Sequence, residues 1–248
     1  KAIIAVHLYG HPSRMDEIVK IAKKYKIYLI EDAAPAVGAK YNNKLVGTFG
    51  IAAAFSFQGA KLVVSGEGGM IITSNQTLNK KIRQLAAHGR GNNKKKGPFW
   101  IEKVGYKYSM SNIQAALCLA QFERLEELIN KKRKIFSWYE KNLKNLEMIK
   151  MNKEIKPARS IYWMTSIFLV KKKLKKKIDG LTLSKVLKKK GIDTRPIFPS
   201  ISTYPMWKSK NQFFSKELEK YGLNLPSGHN LKKNQIDYIS KNISKILI

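Results

Sequence analysis

The chain is poor in cysteine, in acidic residues and in long apolar runs. Its 248 residues include a single cysteine, Cys118. One thiol cannot form an internal disulfide or a zinc cluster, so we interpret Cys118 as a small core residue of a helix. No stretch of about 18 consecutive apolar residues occurs, and we therefore predict no membrane-spanning helix. The lack of disulfides and of a signal-peptide layout favours a cytoplasmic location.

The 17 acidic residues are outnumbered by 48 Lys and Arg, which gives a net charge of +31. A basic excess of this size is typical of nucleic-acid-binding proteins. However, only seven of these basic residues are Arg, the side chain that bidentate recognition of bases and phosphates favours. Nucleic-acid binding therefore stays a minor alternative, and we expect the basic surface to attract an anionic small substrate instead.

The order of apolar segments predicts two domains of different class. The first hundred residues alternate short apolar strands with amphipathic helices: strands at 3–7, 27–30, 52–57 and 69–74, helices at 15–25 and 78–87. This alternation predicts a layered α/β sheet with parallel strand pairs. One long helix is expected from 111 to about 143. The later segments predict a small α+β domain, with a strand at 163–170 and helices at 182–190 and 232–247. We place the boundary so that residues 1–130 form the large domain and 131–248 the small one.

Three polar side chains follow the ends of predicted strands: Asp32, Ser56 and Lys61. The carboxyl ends of strands are where open α/β sheets bind their ligands. An amine that forms an imine, a carboxylate that keeps a pyridine nitrogen protonated and a hydroxyl that holds a phosphate are what pyridoxal phosphate requires. On spacing alone, a solvated surface lysine and a carboxylate that caps a turn explain the same residues. Both interpretations stay open at this point.

Segments along nearly the whole chain match one set of family motifs in the same order. Residues 7–16, 30–39 and 55–69 resemble the motifs HxYGxPxxMD, EDAAxAxGA and FSFxxxKxxxxGEGG. Residues 105–116 resemble GYNxRMxxIQAA, and 195–199 and 225–228 resemble TRPxFxP and LPSG. Together these motifs resemble the DegT/StrS family of pyridoxal-phosphate-dependent, fold-type I sugar-nucleotide aminotransferases. The similarity is nearest to its branch of GDP-perosamine synthase-like enzymes.

The resemblance implies a pyridoxal phosphate cofactor and a role for each of four residues. Lys61 is the catalytic lysine that binds the cofactor covalently, and Asp32 pairs with the pyridinium nitrogen. Ser56 binds the phosphate, and Ala34 packs against the ring face. The family also contains dehydratases with His at the position of Lys61, so the lysine favours transamination. No metal site is implied.

Further positions carry substrate and subunit contacts, or depart from the family. Lys107 stands where an Asn reaches the phosphate in the partner subunit, so we expect an electrostatic contact with a different geometry. His88 and Arg195 are candidate substrate-binding residues; for His88 a structural hydrogen bond in a loop is the competing interpretation. Pro35 replaces the usual Gln, His or Glu beside the ring hydroxyl, and Ser109 replaces a usual Arg.

The resemblance implies transfer of an amino group, from glutamate, to the keto-sugar of a nucleoside diphosphate sugar. It further implies a homodimer that acts in cell-surface polysaccharide or lipopolysaccharide biosynthesis. The family has strands, a Gly-Thr phosphate-binding turn and a stacking aromatic ahead of residue 1, so we expect the N-terminal part of the fold-type I large domain to be missing. A non-catalytic or sensor member of the family is the alternative, and visible cofactor absorbance would separate the two. Salt-dependent retention on DNA would instead support a basic nucleic-acid-binding protein.

Overall fold

The computed structural model describes residues 1–91, 96–97, 99–207 and 213–248, and they form two compact units. The first unit contains Lys1–Glu127 and Ile155–Ile161, and the second contains Leu128–Glu154 and Tyr162–Ile248. In the described part of the chain, no helix combines the length and the apolar character needed to cross a membrane.

The first unit is built on a four-stranded sheet in the order β1-β2-β5-β6. Strands β1 (Ala2–Val6), β2 (Tyr28–Asp32) and β5 (Ala52–Ser56) run parallel to one another. The predicted α/β sheet with parallel pairs is thereby confirmed. Strand β6 (Gly69–Ile72) is antiparallel to β5, because the chain between these two strands folds back on itself instead of crossing over through a helix.

Helices and short strands complete the first unit. Helix α1 (Met15–Lys24) connects β1 to β2 and buries Met15 and Ala22 in a cluster with Ala5 and Leu29. Its acidic first turn and basic last turn complement the helix dipole. The remaining elements are β3 (Lys40–Tyr41), β4 (Lys44–Leu45), α2 (Gln76–Ala86) and α3 (Asn112–Phe122).

The prediction of a single long helix from 111 to about 143 is wrong. The structure has α3 and then a separate helix α4 (Leu125–Leu143). Between them the backbone tightens, since Arg124 N donates to the carbonyl of Gln121, three residues back, at 3.1 Å. The Arg124 guanidinium pairs with Glu127 through two contacts of 2.9 Å in the first turn of α4. An uninterrupted apolar pattern does not reveal a break of this kind.

The segment Ile155–Ile161 belongs to the first unit, although the sequence-based boundary puts it in the small domain. It contains β8 (Ala158–Arg159), which pairs with β3. The segment also bonds to the carbonyl of Gly10, which accepts from the backbone Ile161 N at 3.0 Å and from the side-chain Ser160 Oγ at 3.1 Å. These bonds satisfy the backbone N–H of Ile161 and the hydroxyl of Ser160, both of which belong to buried residues.

The second unit is an antiparallel sheet in the order β10-β11-β9-β7, covered by helices. Its strands are β7 (Ile149–Met151), β9 (Thr165–Leu169), β10 (Arg195–Pro196) and β11 (Gly222–Leu225). Helices α5 (Gly180–Lys188), α6 (Phe213–Tyr221) and α7 (Lys233–Leu247) complete it. Residues of α4, β9, α5, β11 and α7 form one apolar core. The sequence analysis assigned neither α6 nor β11.

Candidate active site

The carboxyl ends of two parallel strands bring Asp32 and Ser56 to one edge of the first sheet. Asp32 is the last residue of β2 and lies opposite Ala54 of β5, and Ser56 ends β5 two residues further on. Lys61 lies in the turn that leaves β5. Its amine is close enough to the Asp32 carboxylate for that charge to act on the pKa of the lysine. The edge thus carries the three polar side chains that the sequence analysis predicted there.

The Lys61 amine is half-buried, and burial lowers its pKa below the ordinary value. The negative charge of Asp32 opposes this shift without cancelling it. A lowered pKa increases the fraction of neutral amine at a given pH, and the neutral form is the nucleophile. Burial therefore favours the neutral, nucleophilic form of the Lys61 amine.

The neighbours of Lys61 are oriented by short-range backbone contacts. Asp32 Oδ1 accepts a hydrogen bond from Ala34 N at 3.1 Å, which turns the chain directly after β2 and fixes the carboxylate. Ala34 is half-buried. Ser56 Oγ accepts from Gln58 N at 3.4 Å, so the hydroxyl proton is not used in that contact and can be donated to an anionic ligand.

The turn that carries Lys61 is closed by backbone hydrogen bonds between its two sides. Phe57 N donates to the carbonyl of Gly68, and Gly59 N to that of Gly66, both at 2.9 Å. Gly68 has φ +131°, and a Cβ added there would lie 2.8 Å from Cε of Met110. The glycines of the 66–69 segment thus permit the tight turn expected beside the lysine.

Glu31, the residue before Asp32, is a buried anchor that the sequence analysis missed. One oxygen, Oε1, accepts from Phe49 N at 2.7 Å and Gly50 N at 2.8 Å; the other, Oε2, accepts from Gly47 N at 2.6 Å and from His7 Nε2 at 3.1 Å. Burial alone would raise the pKa of the Glu31 carboxyl, but these hydrogen bonds outweigh it and lower that pKa. Successive residues of a strand point to opposite faces of the sheet, so Glu31 and Asp32 could not both point toward a ligand. This alternation was the signal in the sequence that could have indicated a separate role for Glu31.

His7 is fully buried and belongs to this anchor. Its Nδ1 accepts a hydrogen bond from Ser13 N at 3.1 Å, so the ring proton is on Nε2, which donates a hydrogen bond to Glu31 Oε2. The anchor therefore fixes the end of β1 to the end of β2. It also holds the loop that enters β5, which keeps the two strand ends bearing Asp32 and Ser56 in place.

Two further predicted site residues lie on the segment after α2. Lys107 forms an antiparallel bridge with Ala87, and His88 N donates to the carbonyl of Tyr106 at 2.9 Å. Lys107 Nζ donates to the carbonyl of Ser109 at 3.2 Å. The resemblance assigns Lys107 a contact with the cofactor phosphate of the partner subunit. The contacts of Lys107 within its own chain do not test that role, so it stays a prediction. The substrate role of His88 also stays a prediction.

Arg195 is in the second unit, at the start of β10, where its exposed guanidinium donates to Asp193 Oδ1 at 2.7 Å. Its substrate-binding role remains a prediction. Among the described residues, His, Cys, Asp and Glu side chains form no group of three or more that could hold a metal ion.

Comparison with known proteins identifies the family. The model of the DegT/DnrJ/EryC1/StrS aminotransferase family matches residues 1–244. The chain belongs to this family, which confirms the resemblance drawn from the motifs. Enzymes of the family depend on pyridoxal phosphate, the cofactor that the sequence analysis predicted.

Individual relatives agree with this assignment. The chain is 39% identical to GDP-perosamine synthase of Escherichia coli O157:H7 over 247 residues, which cover 99% of this chain and 65% of the relative. It is 35% identical to GDP-perosamine synthase of Caulobacter vibrioides, covering 100% of this chain and 66% of that protein. The chain thus spans just under two thirds of the length of these relatives.

A solved structure confirms the fold class. The chain superimposes on PseC of Helicobacter pylori, an aminotransferase involved in the biosynthesis of pseudoaminic acid, with a TM-score of 0.91 and 23% identity. The match covers 100% of this chain and 67% of PseC. At this identity the similarity establishes the fold, which is that of the fold-type I aminotransferases.

Proposed function

We propose that this chain carries the catalytic lysine of a pyridoxal-phosphate-dependent aminotransferase acting on nucleotide sugars. The reaction is transfer of an amino group, from glutamate, to the keto-sugar of a nucleoside diphosphate sugar. The observation that carries the proposal is the half-buried Lys61 amine beside Asp32, at the strand edge that also bears Ser56. The named activity of the GDP-perosamine synthase relatives supports the choice of substrate class.

The residues at this edge fit the cofactor. Lys61 would hold its aldehyde carbon, Asp32 would keep the ring nitrogen protonated, and Ser56 would donate a hydrogen bond to the phosphate. Pyridoxal phosphate bound there supplies an electron sink for the carbon that loses a proton. These roles for Lys61, Asp32, Ser56 and Ala34 belong to the proposal.

Lys61 is also suited to the proton transfers. With the cofactor bound, Lys61 Nζ would take the proton from the α carbon of the amino donor in the first half of the reaction. In the second half it would deliver a proton to the sugar carbon that gains the amine. A base is most effective when its pKa is near the working pH. The burial that lowers the pKa of Lys61 therefore serves both the nucleophilic and the basic step.

We also propose that the enzyme works as a homodimer in the cytoplasm, in the biosynthesis of cell-surface polysaccharide or lipopolysaccharide. The exposed Lys107 would then approach the cofactor phosphate of the partner subunit. His88 and Arg195 would contact substrate. The net charge of +31 favours encounter with a doubly negative sugar nucleotide.

The test compares Lys61→Ala with Lys20→Ala, an exposed lysine of α1. The wild-type enzyme should bind pyridoxal phosphate with visible absorbance and aminate a nucleotide keto-sugar at the expense of glutamate. Lys61→Ala should lose turnover, while Lys20→Ala keeps it. A wild-type protein without cofactor absorbance would favour the non-catalytic alternative, and steeply salt-dependent retention on DNA without turnover would favour the nucleic-acid-binding one.

A further inference from the structure

One face of α3 contacts the turn that carries Lys61. Gln114, Cys118 and Gln121 have the spacing i, i+4 and i+7, which places them on the same side of an α-helix. Cys118 is the buried residue of this helix. The large apolar side chains elsewhere on this helix are exposed: Ile113, Leu117, Leu119 and Phe122. The face with the two glutamines is therefore the one by which α3 meets the rest of the first unit.

Gln121 binds the main chain of Val64 through both ends of its side-chain amide. Its Oε1 accepts from Val64 N at 3.2 Å, and its Nε2 donates to the carbonyl of Val64 at 2.7 Å. Val64 lies three residues after Lys61, and Leu62 and Val63 between them are buried. On the other side, Lys61 N donates to the carbonyl of Gln58 at 2.9 Å. The backbone is thus fixed on both sides of Lys61.

Gln114 holds the far end of the same turn. Its Nε2 donates to the carbonyl of Glu67 at 3.2 Å, and its Oε1 accepts from Ser111 N at 3.1 Å in the capping box that begins α3. One amide therefore joins the start of the helix to the glycine-bearing segment. With Gln121 seven residues later, the helix binds the turn at two points about 10 Å apart along its axis.

We propose that Gln121 is a positioning residue for Lys61, and that Gln114 supports it from the same helix face. This inference rests on the proposed function, because it concerns the placement of the lysine toward its cofactor. Val64 cannot move without breaking both amide contacts, so the backbone next to Lys61 is held against α3. Gln121 acts through the lysine: its loss changes where the amine lies.

The experiment uses the holoenzyme with two variants and one matched control. Gln121→Met conserves the length of the side chain and removes both hydrogen bonds, whereas Gln121→Glu keeps the acceptor for Val64 N and removes the donor. The control is Gln76→Met, at an exposed position in the first turn of α2. Three quantities are measured: hydrogen exchange of the peptide covering residues 57–66, the pH midpoint of the cofactor absorbance, and kcat and KM for glutamate.

For Gln121→Met we expect exchange of this peptide to be about thirtyfold faster, which corresponds to loss of two net hydrogen bonds. The absorbance midpoint should move by about half a pH unit or more, since the amine and Asp32 separate. We expect kcat to fall by about tenfold with KM changed less than about twofold. Gln121→Glu should lie between wild type and Gln121→Met, and Gln76→Met should match wild type.

The outcomes separate this inference from the proposed function. If Lys61→Ala retains the absorbance and turnover of wild type, the proposed function fails and the positioning role fails with it. If Lys61 is required but neither Gln121 variant moves the midpoint or kcat, the positioning role alone is overturned. A glutamine with a purely structural role would lower the melting temperature and leave the midpoint in place. If Gln121→Met does not fold, Gln121→Glu decides by the same measurements.

Discussion

The buried Glu31 anchor should dominate the stability of the first unit, and Glu31→Gln tests it with almost no change of shape. Each carboxylate oxygen accepts two hydrogen bonds, from Phe49 and Gly50 at Oε1 and from Gly47 and His7 at Oε2. Whichever oxygen the amide NH₂ replaces, two backbone or ring N–H donors lose their acceptor and face another donor. Hydrogen bonds to charged groups are worth about 1.5 kcal/mol or more each, so the loss is about 3 kcal/mol.

Urea unfolding of wild type and Glu31→Gln at neutral pH measures this loss. The control is Glu17→Gln, which removes an exposed ion pair with Arg14 and should cost less than about 1 kcal/mol. A difference between Glu31→Gln and wild type below about 1 kcal/mol would refute the anchor.

The same anchor predicts a pH dependence. The pKa of Glu31 is lower in the folded protein than its ordinary value of 4.5. As the pH falls, Glu31 is therefore protonated in the unfolded chain before it is protonated in the folded protein. The stabilisation is therefore complete above about pH 4.5 and is lost as pH falls through the folded value. Glu31→Gln should lack this part of the acid sensitivity. If both proteins lose stability in parallel over that range, the carboxylate is not its source.

Three further predictions concern single side chains. Asp32→Asn should slow a single turnover of amino transfer on the order of 100-fold while the cofactor stays bound, because the ring nitrogen loses its anion; wild-type rates would exclude the assigned role. Thr165→Val should raise the free energy of unfolding by about 1 kcal/mol, because Thr165 Oγ1 is the one buried side-chain oxygen or nitrogen without a hydrogen bond in the described part of the chain; a loss of stability in urea would contradict it. Lys132 donates to the carbonyls of Trp163 and Ser227, and burial lowers its pKa from 10.5 to about 8. The free energy of unfolding of wild type should therefore rise from about pH 8 towards pH 10.5. An equal rise in Lys132→Met would contradict this assignment.

The strand-end residues could be predicted from sequence because their signal is local. A short apolar run ends at Asp32 and another at Ser56, and parallel strands bring their carboxyl ends to one edge whatever the connections between them. The lysine follows in a turn whose glycines indicate a tight reversal. The identity of the cofactor came from the motifs, since spacing alone left a solvated surface lysine as an open interpretation.

Most of what the sequence analysis missed depends on contacts between distant segments. Glu31 becomes an anchor only because residues 47–50 and His7 reach it, and neither is close to it in the sequence. The return of Ile155–Ile161 to the first unit depends on bonds to Gly10 and on pairing with β3. The break before α4 comes from a local change of hydrogen-bond spacing inside an unbroken apolar pattern. Neither the return of this segment nor the break before α4 has a periodic signature.

The central claim is that Lys61 is the residue that binds the cofactor, and borohydride reduction of the wild-type holoenzyme tests it most directly. The reduction makes the lysine–cofactor link permanent, and peptide mapping by mass spectrometry then locates it. Because the chain contains 41 lysines, labelling of a single peptide would distinguish one lysine from all the others. We predict that the cofactor mass is found on Lys61 alone. Cofactor attached to any other lysine, with Lys61 unmodified, would contradict the account.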